Sequence, residues 1–445
     1  MNFLNAVLPQ NITSEYYSGN FKKVEEIADY FLKQKNTPNS LKMKIKYLKN
    51  NIKKIRKRYI YNKEEILKLF KETFKDFSEE ELEKYKISEV VDYLFIDGEE
   101  KYLDNTISSI VKTFPEIKKR KKIKSEDNEN EFLNNYIDEF MNKKSAKLKI
   151  RMKTSIRSIN ISDESYSKIR VWMPIPSVNF QVKSLCIIDH SENLKEISNP
   201  SNISGTAYFE GDKFSKEFFI EYEYVLHQKL NSIYVNKPSY VYDSNFTTEY
   251  KPHIVFSELI KDVNNEIIIE ADSPILKARK IYDYITNNIR YSYMRPYSTY
   301  ERIPEYVIAN QRGDCGMQVL LFITLCRYNG IPAKWQSGLY LTEKTGLSHD
   351  WAQFYIEPYG WLFADLSFGG GRKTDKKLHD FYFGNIDPLR MPANNRFQYK
   401  LYPEKKFFRN DPYDNQIGEI ETDKEGIFSE DFTTKHDVVE IIDMG

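Results

Sequence analysis

The segment Asn310-Gln311-Arg312-Gly313-Asp314-Cys315-Gly316 runs directly into an apolar stretch, Met317 to Tyr328, which Asn329-Gly330-Ile331-Pro332 brings to an end. This pattern predicts a helix with Cys315 in its first turn, and the glycines on either side let backbone approach closely. A thiol placed there meets unpaired amide donors and the positive end of the helix dipole, and both favour thiolate. Cys326 lies on the same predicted helix, about 16 Å further along its axis, too far for a disulfide, and reads as a core residue. Cys186, inside the strand-like Ser184-Leu185-Cys186-Ile187-Ile188, reads as a small buried hydrophobe. Three cysteines give neither a disulfide framework nor a CxxC pair.

Downstream of Cys315 stand groups that can serve a thiol. His349, in Leu347-Ser348-His349-Asp350-Trp351, opens an alternating segment that Pro358-Tyr359-Gly360 interrupts, and Trp361-Leu362-Phe363-Ala364-Asp365 reads as the returning strand. If the strands pair about a turn centred near Glu357, His349 and Asp365 fall at nearly facing positions. The carboxylate would then accept from one ring nitrogen, fix the tautomer, and turn the other nitrogen toward the thiol. The rival reading is a buried helix-start cysteine with His349 and Asp365 as incidental surface residues.

Upstream, Ser273-Pro274 opens a helix with Ile275, Ala278, Ile281, Tyr282, Ile285 and Ile289 on one face. From Lys147 to about Gln228 the period is two, carried by Leu148, Ile150 and Met152, by Ile169, Val171 and Met173, and by Phe218, Ile220, Tyr222 and Tyr224. Turn signals at Asn199-Pro200, Gly205 and Glu210-Gly211-Asp212 complete the signature of a small β-sandwich. From Ser18 to Pro115 the pattern is helical, with a capped start at Ser78 before Glu79, Glu80 and Glu81, and a turn at Asp97-Gly98. Leu41 to Arg58 carries nine basic residues and no acid; an anionic lipid or RNA surface competes there with an ordinary lysine-rich surface helix, and the surface helix is favoured. Lys118 to Lys124 and Ser125 to Asn130 read as a solvated linker.

Four elements in order, Arg312-Gly313-Asp314-Cys315, Gly330-Ile331-Pro332-Ala333, His349-Asp350-Trp351 and Gly360-Trp361 through Asp365, resemble the core of the transglutaminase-like superfamily. The resemblance covers roughly Ser273 to Phe383. The preceding Val171-Trp172-Met173-Pro174-Ile175-Pro176 is similar to the strand domain that often stands before that core. It implies an α+β multidomain protein: a helical accessory domain over 1–145, a β-sandwich-like domain over 146–235, a papain-like catalytic core over 236–400, and a tail over 401–445 that alternating Val438, Val439, Ile441 and Ile442 mark for added strands. It further implies Cys315 as nucleophile, His349 as general base and acid, and Asp365 as orienting carboxylate. All members share thiolate attack on an amide carbonyl, and the acceptor then decides between hydrolysis and amine transfer. With no Asp/Asn/Gly loop at calcium spacing, a cysteine peptidase or amidase acting on protein or peptide is favoured over a protein-glutamine amine transferase. The remaining alternative is a binding or scaffold protein with a vestigial triad.

Trp335 and Trp351 are candidates to wall a substrate groove, with packing beneath the site equally open for Trp351. The backbone N–H of Cys315 is a candidate oxyanion donor, and Gln311 a weaker one. His190, His227, His253, His379 and His436 show no HExxH pairing and read as structural; no metal or cofactor is implied. Ser367 to Thr374 lacks the GxxxxGK[ST] spacing and reads as a loop bordering the cleft.

Composition sets the outer bounds. The 445 residues, 40% hydrophobic and 15% aromatic, suffice for more than one core. Lys and Arg at 66 against Asp and Glu at 65 leave a net charge of +1, which argues against a dedicated nucleic-acid binder. No apolar run approaches the roughly 18–20 residues of a membrane span. Met1 to Gln10 lacks a basic signal-peptide start, so a cytoplasmic protein is expected.

Overall fold

The computed structural model describes residues 2–123, 129–158, 166–198, 203–212 and 217–445. It is an α+β multidomain protein whose chain forms two compact units.

One unit comprises Met1–Glu126, Tyr250–Val255 and Ile289–Asp314. Its helices include Gln10–Tyr17, Phe21–Lys33, Asn39–Arg58, Lys63–Thr73, Glu79–Ile87 and Thr106–Thr113. In Asn39–Arg58, the stripe Ile45, Leu48, Ile52 and Ile55 is buried, while Arg56 is bound by Glu25 and Asp97 and Lys49 by Asp29. The basic helix is therefore packed and charge-paired. Ser78 Oγ accepts from the Glu81 N–H at 3.2 Å, the cap that its sequence predicts. The segment also holds a three-stranded antiparallel sheet of Tyr59–Tyr61, Glu99–Leu103 and Tyr93–Ile96, in that spatial order, which a purely helical reading omits. Strands of three to five residues are too short to impose a visible period. The expected linker is also partly folded: Pro115–Arg120 is a 3₁₀ turn, and Arg120 bridges Glu81 at 2.6 and 3.0 Å. Residues 124–128 of that expectation lie outside the described residues, as do Asn199-Pro200.

The other unit comprises Asp127–Glu249, Phe256–Asn288 and Cys315–Gly445. Two antiparallel sheets build its β-sandwich. One runs Gly426–Ile427, Glu419–Thr422, Ile169–Pro174, Thr206–Gly211, Leu194–Ile197; the other runs Phe432–Asp443, Ser145–Ser158, Phe218–Lys229, Val182–His190. In Phe218–Lys229, Phe218, Ile220, Tyr222, Tyr224 and Leu226 are buried and alternate with half-buried neighbours, which places one face inward. Phe209 and Phe218 meet edge to face across the two sheets at 5.8 Å. Cys186 corrects its expectation: it is exposed, because Val182–His190 is an edge strand whose outer positions, Cys186 among them, face solvent.

Beside the sandwich, the helices Pro274–Asn288 and Cys315–Tyr328 accompany a five-stranded antiparallel sheet ordered Phe383–Gly384, Gly360–Ala364, Gly346–Ile356, Ala333–Leu341, Arg390–Asn394. Pro274 starts its helix, and Ile275, Ala278, Ile281, Tyr282 and Ile285 are buried on one face. Cys315–Tyr328 is buried almost all round and sets Phe322 against Phe354 of the sheet at 5.6 Å. The Arg390–Asn394 strand is held on two sides. Gly338 pairs with Pro392 so closely that an added Cβ would sit 2.0 Å from the Met391 carbonyl oxygen. From the sandwich side, the Ser177 and Gly205 amides donate to the Pro392 and Ala393 carbonyls, each at 2.8 Å.

Candidate active site

Cys315 is the first residue of its helix and is nearly buried. Its thiol donates to Asp350 Oδ2 at 3.2 Å. Asp350 sits on the Gly346–Ile356 strand, next in sequence to His349 and across from Ser337 in register.

His349 is buried, and its Nε2 lies 2.8 Å from Asp365 Oδ2. Asp365 is held down to about 2; burial opposes this, and the His349 and Arg390 charges with their hydrogen bonds outweigh it. As a carboxylate it accepts only, so Nε2 carries the ring proton and Nδ1 presents a lone pair. Burial also lowers His349 below the usual imidazole range, with the opposing pull of Asp365 insufficient to restore it. A neutral base is the result.

One carboxylate is thus used several times. Asp365 Oδ1 accepts from the Phe368 N–H at 3.0 Å and caps the Leu366–Gly371 helix, while Oδ2 meets His349 and, at 3.1 Å, Arg390 Nη2. Arg390, fully buried, is fixed in turn by Asp387, whose Oδ2 accepts from Nε at 3.0 Å and from the Tyr382 hydroxyl at 3.2 Å. The guanidinium lies 4.6 Å over the Phe368 ring and 5.3 Å over Trp351. Phe368 packs 4.6 Å from the His349 ring. The imidazole is held by a hydrogen bond at one edge and aromatic surfaces around it.

Residues 261–366 match the model of the transglutaminase-like superfamily. That segment is a transglutaminase-like core. Among solved structures it is similar to a protein from Cytophaga hutchinsonii provisionally described as a cysteine protease, at 15% identity and a TM-score of 0.41, over 68% of this chain and 91% of that one. It is also similar to the periplasmic domain of TgpA from Pseudomonas aeruginosa, at 10% identity and a TM-score of 0.27, over 52% and 92%. No curated protein matches the chain.

Within the transglutaminase-like core the hairpin register is centred one residue later than expected, with Ala352 opposite Ala364. His349 and Asp365 are consequently offset, and their side chains still meet because Asp365 has left the strand to begin a helix. Trp351 is fully buried, stacked 6.1 Å from His349, with Nε1 donating to Gln336 Oε1 at 2.6 Å. Trp335 is buried against Phe397 at 5.3 Å. Neither indole presents a face to a groove here; Trp351 is packing beneath the site. Gln311 falls in the other compact unit, where it ends the Ile303–Asn310 helix with a left-handed backbone (φ 49°) and its carbonyl accepts from the Arg290 N–H. Ser367 to Gly371, expected as a loop, belong to the Leu366–Gly371 helix, where Gly369 lies so close to Tyr282 that a Cβ would collide with its hydroxyl. Sequence reasoning missed Arg390, Asp387, Asp350 and Gln416. Arg390 stands in Asp387-Pro388-Leu389-Arg390-Met391, where no spacing ties it to His349. Among the described residues no group of three or more His, Cys, Asp or Glu side chains could hold a metal ion, and no helix is long and apolar enough to cross a membrane.

Proposed function

We propose that the protein is a thiol-dependent acyl-transfer enzyme that cleaves amide bonds of proteins or peptides through a Cys315 thioester, with water as the usual acceptor. The observation that carries this reading is the buried Asp365–His349 pair, clamped by Arg390, which leaves a neutral imidazole with Nδ1 as its basic nitrogen. His349 takes the thiol proton, and the thiolate attacks the amide carbonyl carbon. The backbone N–H of Cys315, at a helix start, is the proposed donor to the oxyanion. Collapse breaks the C–N bond, and His349 gives its proton to the departing amine. Water, deprotonated by His349, then attacks the thioester and releases a carboxylic acid and the thiol. A primary amine at the same step would give a new amide.

The test is a set of peptide-aldehyde and amide probes with and without a primary amine, with adducts located by intact mass and peptide mapping. Labelling of Cys315 that depends on His349 is expected. Cys315→Ala should abolish turnover while the fold persists, His349→Ala should do nearly the same, and Asp365→Asn should slow the reaction less completely, because orientation is lost while the base survives. Turnover retained by purified Cys315→Ala would overturn the mechanism. Amine incorporation would assign transfer in place of hydrolysis.

A further inference from the structure

We propose that Asp350 holds the Cys315 nucleophile in its resting thiol form, and that Gln416 and Asp414 of the C-terminal segment hold Asp350 in place to do so. The proposal rests on the reading of Cys315 as nucleophile and concerns how that nucleophile is restrained.

Asp350 is only 6% exposed, and both its oxygens are met by donors. Oδ2 accepts from the Cys315 thiol at 3.2 Å, and Oδ1 accepts from Gln416 Nε2 at 2.5 Å. The same Gln416 nitrogen donates to the His349 carbonyl oxygen at 3.1 Å, so one amide from the C-terminal segment spans both residues. Asp414 stands on the other side. Buried, it accepts from Ser337 Oγ at 2.5 Å, the residue paired with Asp350 in register, and it also hydrogen-bonds Asp350. Burial, with Asp411 adding to it, pushes Asp414 up to about 7, against the opposing pull of Arg409 and of its hydrogen bonds with Ser337 and Asp350.

The charge logic has one sign. A carboxylate next to sulfur stabilises S–H as a donor and opposes negative charge on the sulfur, against the pull of the helix start. Asp350 and the helix dipole therefore compete for the protonation state of one atom. An attacking thiolate requires Asp350 to turn away or lose its charge, and Gln416 is the group that prevents the turn. The device is local to the core sheet and the segment after Pro403, and it needs no second ligand.

The experiment measures alkylation of Cys315 by iodoacetamide between pH 5 and 9, read by peptide mapping of the full chain, with exposed Cys186 as an internal reference. Asp350→Asn keeps an oxygen for Gln416 and replaces the charged, accepting oxygen that faces Cys315 with an uncharged NH2 that donates. It is expected to move the midpoint of the Cys315 profile down by about one pH unit or more, a roughly tenfold faster reaction on the acidic side, with the Cys186 profile unchanged. Gln416→Ala should move it the same way by less, and it guards against misfolding of Asp350→Asn, since circular dichroism identifies a variant that is unfolded. A midpoint unmoved or raised in folded Asp350→Asn, or unmoved in folded Gln416→Ala, would overturn the proposal. Absence of turnover on every amide probe, with the midpoint shifts intact, would instead remove the enzymatic reading and leave the restraint standing.

Discussion

Arg390 organises the carboxylates around His349. Its guanidinium is the counter-charge shared by Asp365 and Asp387, two carboxylates that are buried beside it. Removing one partner from such a cluster costs about 3–5 kcal/mol, because the desolvated charge left behind has lost its counter-ion. Arg390→Met should therefore lower the unfolding free energy in urea by about that amount, and the double variant Arg390→Met/Asp387→Asn should recover part of it. No loss in Arg390→Met would mean that solvent reaches the carboxylates. The pH window of the Asp365 contribution follows from its depressed value: it is present in full above about 4, the unfolded carboxylate range, and is lost as pH falls toward about 2. At this scale the sequence was informative where chemistry and spacing coincide. The place of Cys315 at a helix start and the meeting of His349 with Asp365 were legible because a helix start, a strand and a returning strand each carry a local signature. Arg390, Asp350 and Gln416 could not, since their roles arise from strands and segments brought together only by the fold.

Elements differ in how loudly they speak. The Pro274–Asn288 helix announces itself through a proline at its first position and an apolar face repeated over fifteen residues. The Leu366–Gly371 helix has no such signal: three glycines disguise it, and it exists because Asp365 caps it and Gly369 admits the Tyr282 hydroxyl. The Arg390–Asn394 strand is similarly tertiary in origin, since its pairing with Ala333–Leu341 depends on Gly338 having no side chain. Gly338→Ala would press a methyl onto the Met391 carbonyl, and that backbone cannot retreat because the next two carbonyls are bonded to Ser177 and Gly205. The expected cost is about 1–3 kcal/mol or more, read by equilibrium denaturation, together with a loss of the proposed amide cleavage as Arg390 shifts with its strand. Unchanged stability would show that the strand can slide.

At the scale of the whole chain, the last residues close what earlier ones open. Glu419–Thr422 and Gly426–Ile427 join one sheet of the sandwich, and Phe432–Asp443 lies along Ser145–Ser158 in the other, with a bulge between Val438 and Glu440. The alternation of the tail hinted at a strand, but its partner, almost three hundred positions earlier, left no mark in the local pattern. Each compact unit also buries a neutral histidine. In the first, His253 is lowered to about 3; in the second, His436, bonded through Nδ1 to Thr154 Oγ1 at 3.0 Å, is lowered to about 4, both by burial. The unfolded chain takes up a proton at each position near pH 6.5, whereas the folded chain resists until much lower pH, so acid favours unfolding through both. Above about 6.5 neither residue affects the balance; between there and about 4, His436 withdraws roughly 3 kcal/mol, from ~1.4 kcal/mol per unit of displacement. Urea midpoints at pH 7 and 4.5 should show this loss in the native protein and a smaller one in His436→Gln, whose amide can still bond Thr154 without titrating. Equal losses in the two proteins would place the acid sensitivity elsewhere, with His253→Gln the next variant to separate the units.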